Sequence, residues 1–366
     1  MMIGSAAQNI IALTDSLFLY YYDINDFAAA GFVSVFYLIV AAIAFGFSKG
    51  GQILIARKFG EKNFEFVKKY FYAILFYELV LGLIVFFILK FGAEPILRVF
   101  LQSEVILQKS LEFLEYRIIG LVFAYVGLAL VSLYIGIKRP RFILVDTLIL
   151  CVVNIALGYG LVFGKFGLPE MGIAGAGLAS GISEIVAFIV FVIYMLLDKK
   201  LGPLQLSKIP KIEFSWIKNI NGISFTILLQ SLLAILAWFL FFSFIEKMGE
   251  RALAISNLLR ITYLVLAIPC WGYSTAINTL VSSTIGKRRN KRVLKLVAHS
   301  SLIAFVTTAI ISIPFLLFPT VFLEPLLGHH ETGLIEESIP YFRIMLCILL
   351  EYSITTMYLN RVSGTG

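Results

Sequence analysis

Phe36-Tyr-Leu-Ile-Val-Ala-Ala-Ile-Ala-Phe-Gly-Phe-Ser48 lies over Thr262-Tyr-Leu-Val-Leu-Ala-Ile-Pro-Cys-Trp-Gly-Tyr-Ser274 at a displacement of 226 positions. Tyr37/Tyr263, Leu38/Leu264, Ala41/Ala267, Gly46/Gly272 and Ser48/Ser274 are identical pairs. The same displacement pairs Gln52 with Asn278, Gly60 with Gly286 and Arg117-Ile118 with Arg343-Ile344. Glu94-Pro95 and Glu324-Pro325 match at 230. Leucines recur by chance between apolar helices; glycines, amides and basic loops recurring at one displacement point to a duplicated unit.

The repeated unit is a membrane unit. Of the 366 residues, 60% are hydrophobic and only 14% charged, against about a quarter charged in an ordinary soluble chain. Ten helices of about 20 residues, each crossing ~30 Å of hydrocarbon, would absorb most of that apolar content. A soluble enzyme, a nucleic-acid binder and a disordered chain are thereby excluded. Ten apolar spans are predicted, near 1–22, 28–48, 71–91, 114–136, 143–163, 173–196, 223–245, 253–283, 299–322 and 338–360. Their length and weak alternation favour helices over barrel strands. Pro269 should kink the eighth.

Charge fixes the expected topology. Arg57, Lys58, Lys62, Lys68 and Lys69 follow span two; Lys138, Arg139 and Arg141 follow span four. Lys199, Lys200, Lys208, Lys211 and Lys218 follow span six; Lys287, Arg288, Arg289, Lys291, Arg292 and Lys295 follow span eight. The odd connections are poorer in basic residues, so the even ones are expected in the cytoplasm of a multi-pass plasma (inner) membrane protein. The net charge of +8 is then mostly topology, and no nucleic-acid partner is expected.

The repeat spans six helices, an even number, so both copies have one orientation. That predicts two parallel six-helix bundles related by an axis along the membrane normal. The expected division is an N-terminal lobe at 1–197, a cytoplasmic linker at 198–222 holding Pro203 and Pro210, and a second lobe at 223–366. By the same displacement the second bundle is truncated after its fourth helix, with helices eleven and twelve absent and a turn or two missing from the first span. An incomplete copy of a twelve-helix protein is the expectation.

Polar groups inside such spans are costly and therefore informative. Four acids lie mid-span: Asp15, Glu78, Glu184 and Glu351. Gln8 and Asp15 share a helix face by their spacing. Asn154 lies midway along span five, and Ser180 and Glu184 share a face of span six. Each of these can turn toward the cavity of Asp15. A carboxylate with amide and hydroxyl oxygens suits a hard cation such as Na⁺, with Asp15 and Asn154 as its ligands. A lone desolvated carboxylate suits H⁺. The plainer alternative for each acid is a hydrogen bond or ion pair that pins helices together. The three cysteines fall in apolar runs and have no zinc spacing, and the pair His329, His330 lies in a polar connection. No P-loop, HExxH or nucleophile elbow is present, so no enzyme activity and no cofactor beyond a coupling Na⁺ or H⁺ is expected.

The ordered motifs Leu13-Thr-Asp15-Ser-Leu-Phe, Phe27-Ala-Ala-Ala-Gly31, Ala56-Arg-Lys-Phe-Gly60, Val153-Asn154-Ile-Ala-Leu157, Gly172-Ile-Ala-Gly-Ala-Gly-Leu-Ala-Ser180 and Ala252-Leu-Ala-Ile-Ser-Asn257 resemble the multidrug and toxic compound extrusion (MATE) transporters. The resemblance covers nearly the whole chain. It implies a V-shaped pair of lobes exchanging a cationic, amphipathic organic compound for Na⁺ or H⁺ by alternating access, in a monomer surrounded by lipid. It also implies that Asp15 matches the family's first-helix aspartate and Asn154 its fifth-helix asparagine. Where many members carry an acid four residues on, this chain has Gly158; where some have a seventh-helix glutamate, it has Gln230 to Leu232; the tenth-helix acid is near Glu351. The rival readings are a lipid-linked oligosaccharide flippase of the same superfamily, a non-transporting membrane scaffold, and an inactive fragment. The mid-membrane acids favour a cationic substrate over the flippase.

Overall fold

The computed structural model describes residues 11, 14–211, 213–246, 248–321 and 332–365. Within them the chain is helical, with no strand. Helix α1 (14–22) closes the first span, whose earlier part, with Gln8, lies outside the described residues. It is followed by α2 (Ile24–Gly60), α3 (Phe64–Arg98), α4 (Glu104–Arg117), α5 (Leu121–Gly136), α6 (Arg141–Phe163) and α7 (Gly172–Leu197). The rest are α8 (Phe214–Glu246), α9 (Glu250–Leu266), α10 (Ile268–Gly286), α11 (Val293–Leu317) and α12 (Thr332–Thr365). Among the described residues, seven helices are long and apolar enough to cross a membrane, or nine when each of two bent pairs counts as one span. These nine fall on the second to tenth predicted spans.

The helix ends follow local chemistry. Asp23 accepts from the amides of Asn25 and Asp26 and starts α2, and Asn63 accepts from Phe66 N and starts α3. Each side chain satisfies donors that the first helical turn leaves open. One bent pair is α9 with α10, turning by 43° just before Pro269, where proline lacks the amide a continuous helix needs. The other is α4 with α5, turning by 55° at residues 118–120. No proline marks that break, and the sequence was expected to form a single span there.

Helix boundaries repeat along the chain. α2 runs from Ile24 to Gly60, while α9 starts at Glu250 and α10 ends at Gly286. Both ends are displaced by 226 positions.

The helices form two compact units, Ala6–Leu228 and Leu229–Gly366. In the first, one core cluster joins Ile55, Phe71, Leu133, Tyr134 and Phe191. A second joins Leu19, Val33, Leu97, Leu114 and Ile173. The stretch 198–222, expected as a linker, packs into the first unit: Leu201, Leu204, Trp216 and Ile220 are buried in its core. Tyr72 donates to the Leu206 carbonyl at 2.5 Å, and Asp198 meets Tyr134 at 3.3 Å and Arg139 at 3.5 Å. The three-residue spacing of Leu201 and Leu204 explains it: a short 3₁₀ turn, Lys199–Leu204, puts both leucines on one buried face, while Lys199 and Lys200 stay exposed. The unit boundary therefore falls inside α8, at Leu228, instead of in the basic loop.

In the second unit, polar side chains bridge α10 to its neighbours. Ser274 and Thr356 hydroxyls are 3.0 Å apart, Asn278 donates to Asn360 at 3.3 Å, and Tyr273 meets Thr307 at 3.1 Å. In lipid, where apolar contact gives no water-driven attraction, such bonds hold helices together. All three cysteines are free; Cys151 and Cys270 are buried and Cys347 is exposed. His329 and His330 lie outside the described residues.

Candidate functional site

Small residues make the site possible. The opening of α7 is rich in glycine and alanine, so two neighbouring backbones come close. A Cβ on Gly177 would land on the Phe113 carbonyl oxygen of α4, and one on Gly175 would lie 2.6 Å from the Leu161 oxygen of α6. This close fit lets a short side chain, Ser180, reach both ways across the bundle.

Ser180 donates to Asp15 Oδ2 at 3.2 Å and accepts from Asn154 Nδ2 at 2.9 Å. Three helices, α1, α6 and α7, thus converge on one hydroxyl. Asn154 is fully buried and Ser180 is 6% exposed. Asp15 Oδ1 and Asn154 Oδ1 are both buried without a hydrogen-bond partner. Each is an acceptor lacking a donor, which costs stability in a folded protein unless something fills the gap. A proton, a hard cation or an ammonium group has the required chemistry. A Cβ on Gly158 would lie 3.7 Å from Asp15 Oδ1 and 3.5 Å from the Phe18 ring. The position four residues past Asn154 therefore borders the carboxylate directly.

One turn beyond Ser180, Glu184 does not join this group. Its Oε1 pairs with Arg117 Nη2 at 2.5 Å. The guanidinium carbon lies 4.3 Å from the centre of the Tyr37 ring on α2, a cation–π arrangement. Arg117 and Glu184 side chains are only 13% and 14% exposed. Arg117 stands in the sequence only as a repeat match to Arg343 and was not expected in the site. An arginine inside the predicted span 114–136 was the available signal.

The remaining expected residues are elsewhere. Glu78 is fully buried between α3 and α2, where Ser48 donates to it at 2.7 Å, and its Oε2 has no hydrogen-bond partner. Glu351 is exposed on the second unit. Asp26, in the first turn of α2, is fully buried. It accepts from Ile173 N at 3.0 Å at the start of α7 and pairs with Lys109 at 3.0 Å. A carboxylate at a helix N-terminus is favoured by the open amides and the helix dipole, so Asp26 fixes the end of the helix that carries Ser180.

A bundle of membrane-length helices that encloses a carboxylate, an amide and an ion pair is the build of a multi-pass transport protein. The chain belongs to the MatE family, whose profile matches residues 1–160 and 223–366, and it is a MATE family transporter. It is 22% identical over 342 residues to the probable multidrug resistance protein YoeA of Bacillus subtilis, covering 92% of this chain and 73% of that protein. It is 23% identical to the probable multidrug resistance protein NorM of Thermotoga maritima, covering 87% of this chain and 68% of that protein. A solved multidrug resistance MATE family transporter of the MOP superfamily, in an outward-facing conformation, has the same fold. The TM-score is 0.89 over all of this chain and 80% of that one, at 18% identity.

Proposed function

We propose that this chain is a secondary active efflux transporter that exchanges cationic, amphipathic organic compounds for Na⁺ or H⁺ by alternating access. The observation that carries this reading is the Asp15 carboxylate, held by Ser180 beside Asn154 with one oxygen of each unpartnered. A coupling ion that fills this gap competes with a substrate cation for the same charge. Exchange needs only that ion and substrate bind the two access states differently. The names of the curated relatives support a range of drug-like substrates. The basic connections support a plasma-membrane topology with Lys58, Arg139, Lys208 and Arg288 on the cytoplasmic side. The 226-residue repeat supports two lobes, the protein acting as a monomer. Asn154 and Ser180 complete the ion site in this proposal, with Na⁺ between Asp15 and Asn154 if the ion is a metal. Glu351 is the candidate acid of the second lobe.

The test is ethidium efflux from proteoliposomes or cells with Na⁺ and H⁺ gradients clamped separately, for the wild type and Asp15→Asn. The wild type should respond to one gradient and Asp15→Asn to neither. Normal gradient-driven efflux by Asp15→Asn would overturn the reading.

A further inference from the structure

We propose that Arg117 is a positioning residue that withholds Glu184 from the ion site, so that Asp15 supplies the exchangeable negative charge there without a second carboxylate beside it; this rests on the reading of Asp15 as the coupling carboxylate.

The two acids are close relatives by position. Ser180, which holds Asp15, and Glu184 lie four residues apart on α7, on one face. Without a counter-charge, Glu184 would add a second carboxylate one helical turn from the serine that holds the first. Arg117 supplies the counter-charge from the end of α4, at the 55° break before α5. The other charged and titratable groups facing it are Asp15 and Tyr37; Asn154 and Ser180 are neutral.

The pairing is also built into the backbone. A Cβ on Gly120, inside the break, would lie 2.7 Å from Glu184 Oε2 and 2.5 Å from the Gly181 oxygen. The break thus wraps around the acid, and only a residue without a side chain fits there. Tyr37 holds the guanidinium from a third helix. Yet the pair uses one oxygen and one terminal nitrogen: Glu184 Oε2 and Arg117 Nη1 are buried without hydrogen-bond partners. A contact present only to pin helices would be expected to use both prongs of the guanidinium fork. A one-pronged pair leaves Glu184 chemically available once Arg117 is removed.

The repeat gives an internal comparison. Arg343 occupies the position of Arg117 in the second copy. There α12 runs unbroken from Thr332 to Thr365, and Arg343 is exposed with no ion pair among the described residues. The arginine alone does not impose a break.

The experiment measures ethidium binding to the purified full-length chain in detergent, and its displacement by Na⁺ at fixed pH and by protons at fixed Na⁺. Arg117→Gln should release Glu184, lowering the half-effective ion concentration at least tenfold and making displacement steeper. Glu184→Gln should do the opposite, because the unpaired guanidinium then competes for Asp15, raising that concentration at least tenfold. The double variant Arg117→Gln/Glu184→Gln should return to within threefold of wild type. Arg117→Lys, which keeps the charge, should stay close to wild type and serves if Arg117→Gln does not fold. Single variants that shift in the same direction, or that lower thermal stability with unchanged ion dependence, would refute the role of Arg117. Asp15→Asn separates the two levels. Ion displacement that persists in Asp15→Asn sinks the coupling reading itself, whereas its loss there with unmoved Arg117 and Glu184 variants sinks only this inference.

Discussion

Replacing Gly158 with aspartate should convert the proposed one-carboxylate ion site into a two-carboxylate site. A Cβ at this position lies at ordinary contact distance, 3.7 Å from Asp15 Oδ1 and 3.5 Å from two Phe18 ring carbons. The alanine variant is therefore an unstrained control, and a helical alanine in place of glycine gains up to ~1 kcal/mol. In Gly158→Asp the added carboxylate comes within about 5 Å of the position proposed for a cation beside Asp15. At an effective dielectric near 20, charges about 5 Å apart interact by about 3 kcal/mol. At roughly 1.4 kcal/mol per tenfold, that is about 100-fold in affinity. Desolvating the new charge takes back part of it, so the expected fall in half-saturating Na⁺ is at least about tenfold. The assay is Na⁺-dependent displacement of a fluorescent substrate from purified protein, comparing wild type, Gly158→Ala and Gly158→Asp. Na⁺ dependence within twofold of wild type in a folded Gly158→Asp protein would refute the placement of the ion at Asp15.

Other perturbations probe the scaffold. Ser180→Ala removes both bonds of the central hydroxyl and leaves Asp15 and Asn154 groups open, at ~1–3 kcal/mol each; a lower melting temperature in detergent and weakened coupling should appear together. Gly177→Val forces a side chain onto the Phe113 carbonyl and should separate α4 from α7, costing about 1–3 kcal/mol or more, read as loss of monodisperse protein on size exclusion. Asp26→Ala leaves the Ile173 amide without its acceptor and should cost about 1–3 kcal/mol, since Lys109, 37% exposed, can turn to water, while Asp26→Asn keeps an acceptor and should cost less in the same thermal assay. Asn278→Leu in the second unit removes the bond to Asn360; its effect should be about 0.6–2 kcal/mol, with substrate displacement by Na⁺ unchanged.

What the sequence could reveal depended on the range of the interaction. Helices of membrane length are written locally in apolar runs, and the caps Asp23 and Asn63 are local as well, so nine predicted spans coincide with nine observed ones. The gathering of Asp15, Asn154 and Ser180 was legible because each is an expensive polar residue in hydrocarbon, which narrows its options to one interior. The Arg117–Glu184 pair joins residues 67 positions apart, and nothing local tells an arginine which acid it will meet. The break at 118–120 was hidden for a related reason: Gly120 is one of 28 glycines, distinguished only by what α7 presses against it. Glu78 looked equivalent to the other acids, yet Ser48 takes it to a different part of the bundle.

The anchoring of residues 198–216 matters to anyone who cuts or labels this protein. Ser207, Lys208 and Ile209 are exposed, while Leu201 and Leu204 on one side and Trp216 and Ile220 on the other are sunk in the same core. A protease site or fluorophore tag inserted at 207–209 therefore meets a surface bridge fastened at both feet. Nicking the bridge should leave both feet seated, so a cleaved molecule would migrate as one particle until detergent strips the core apart.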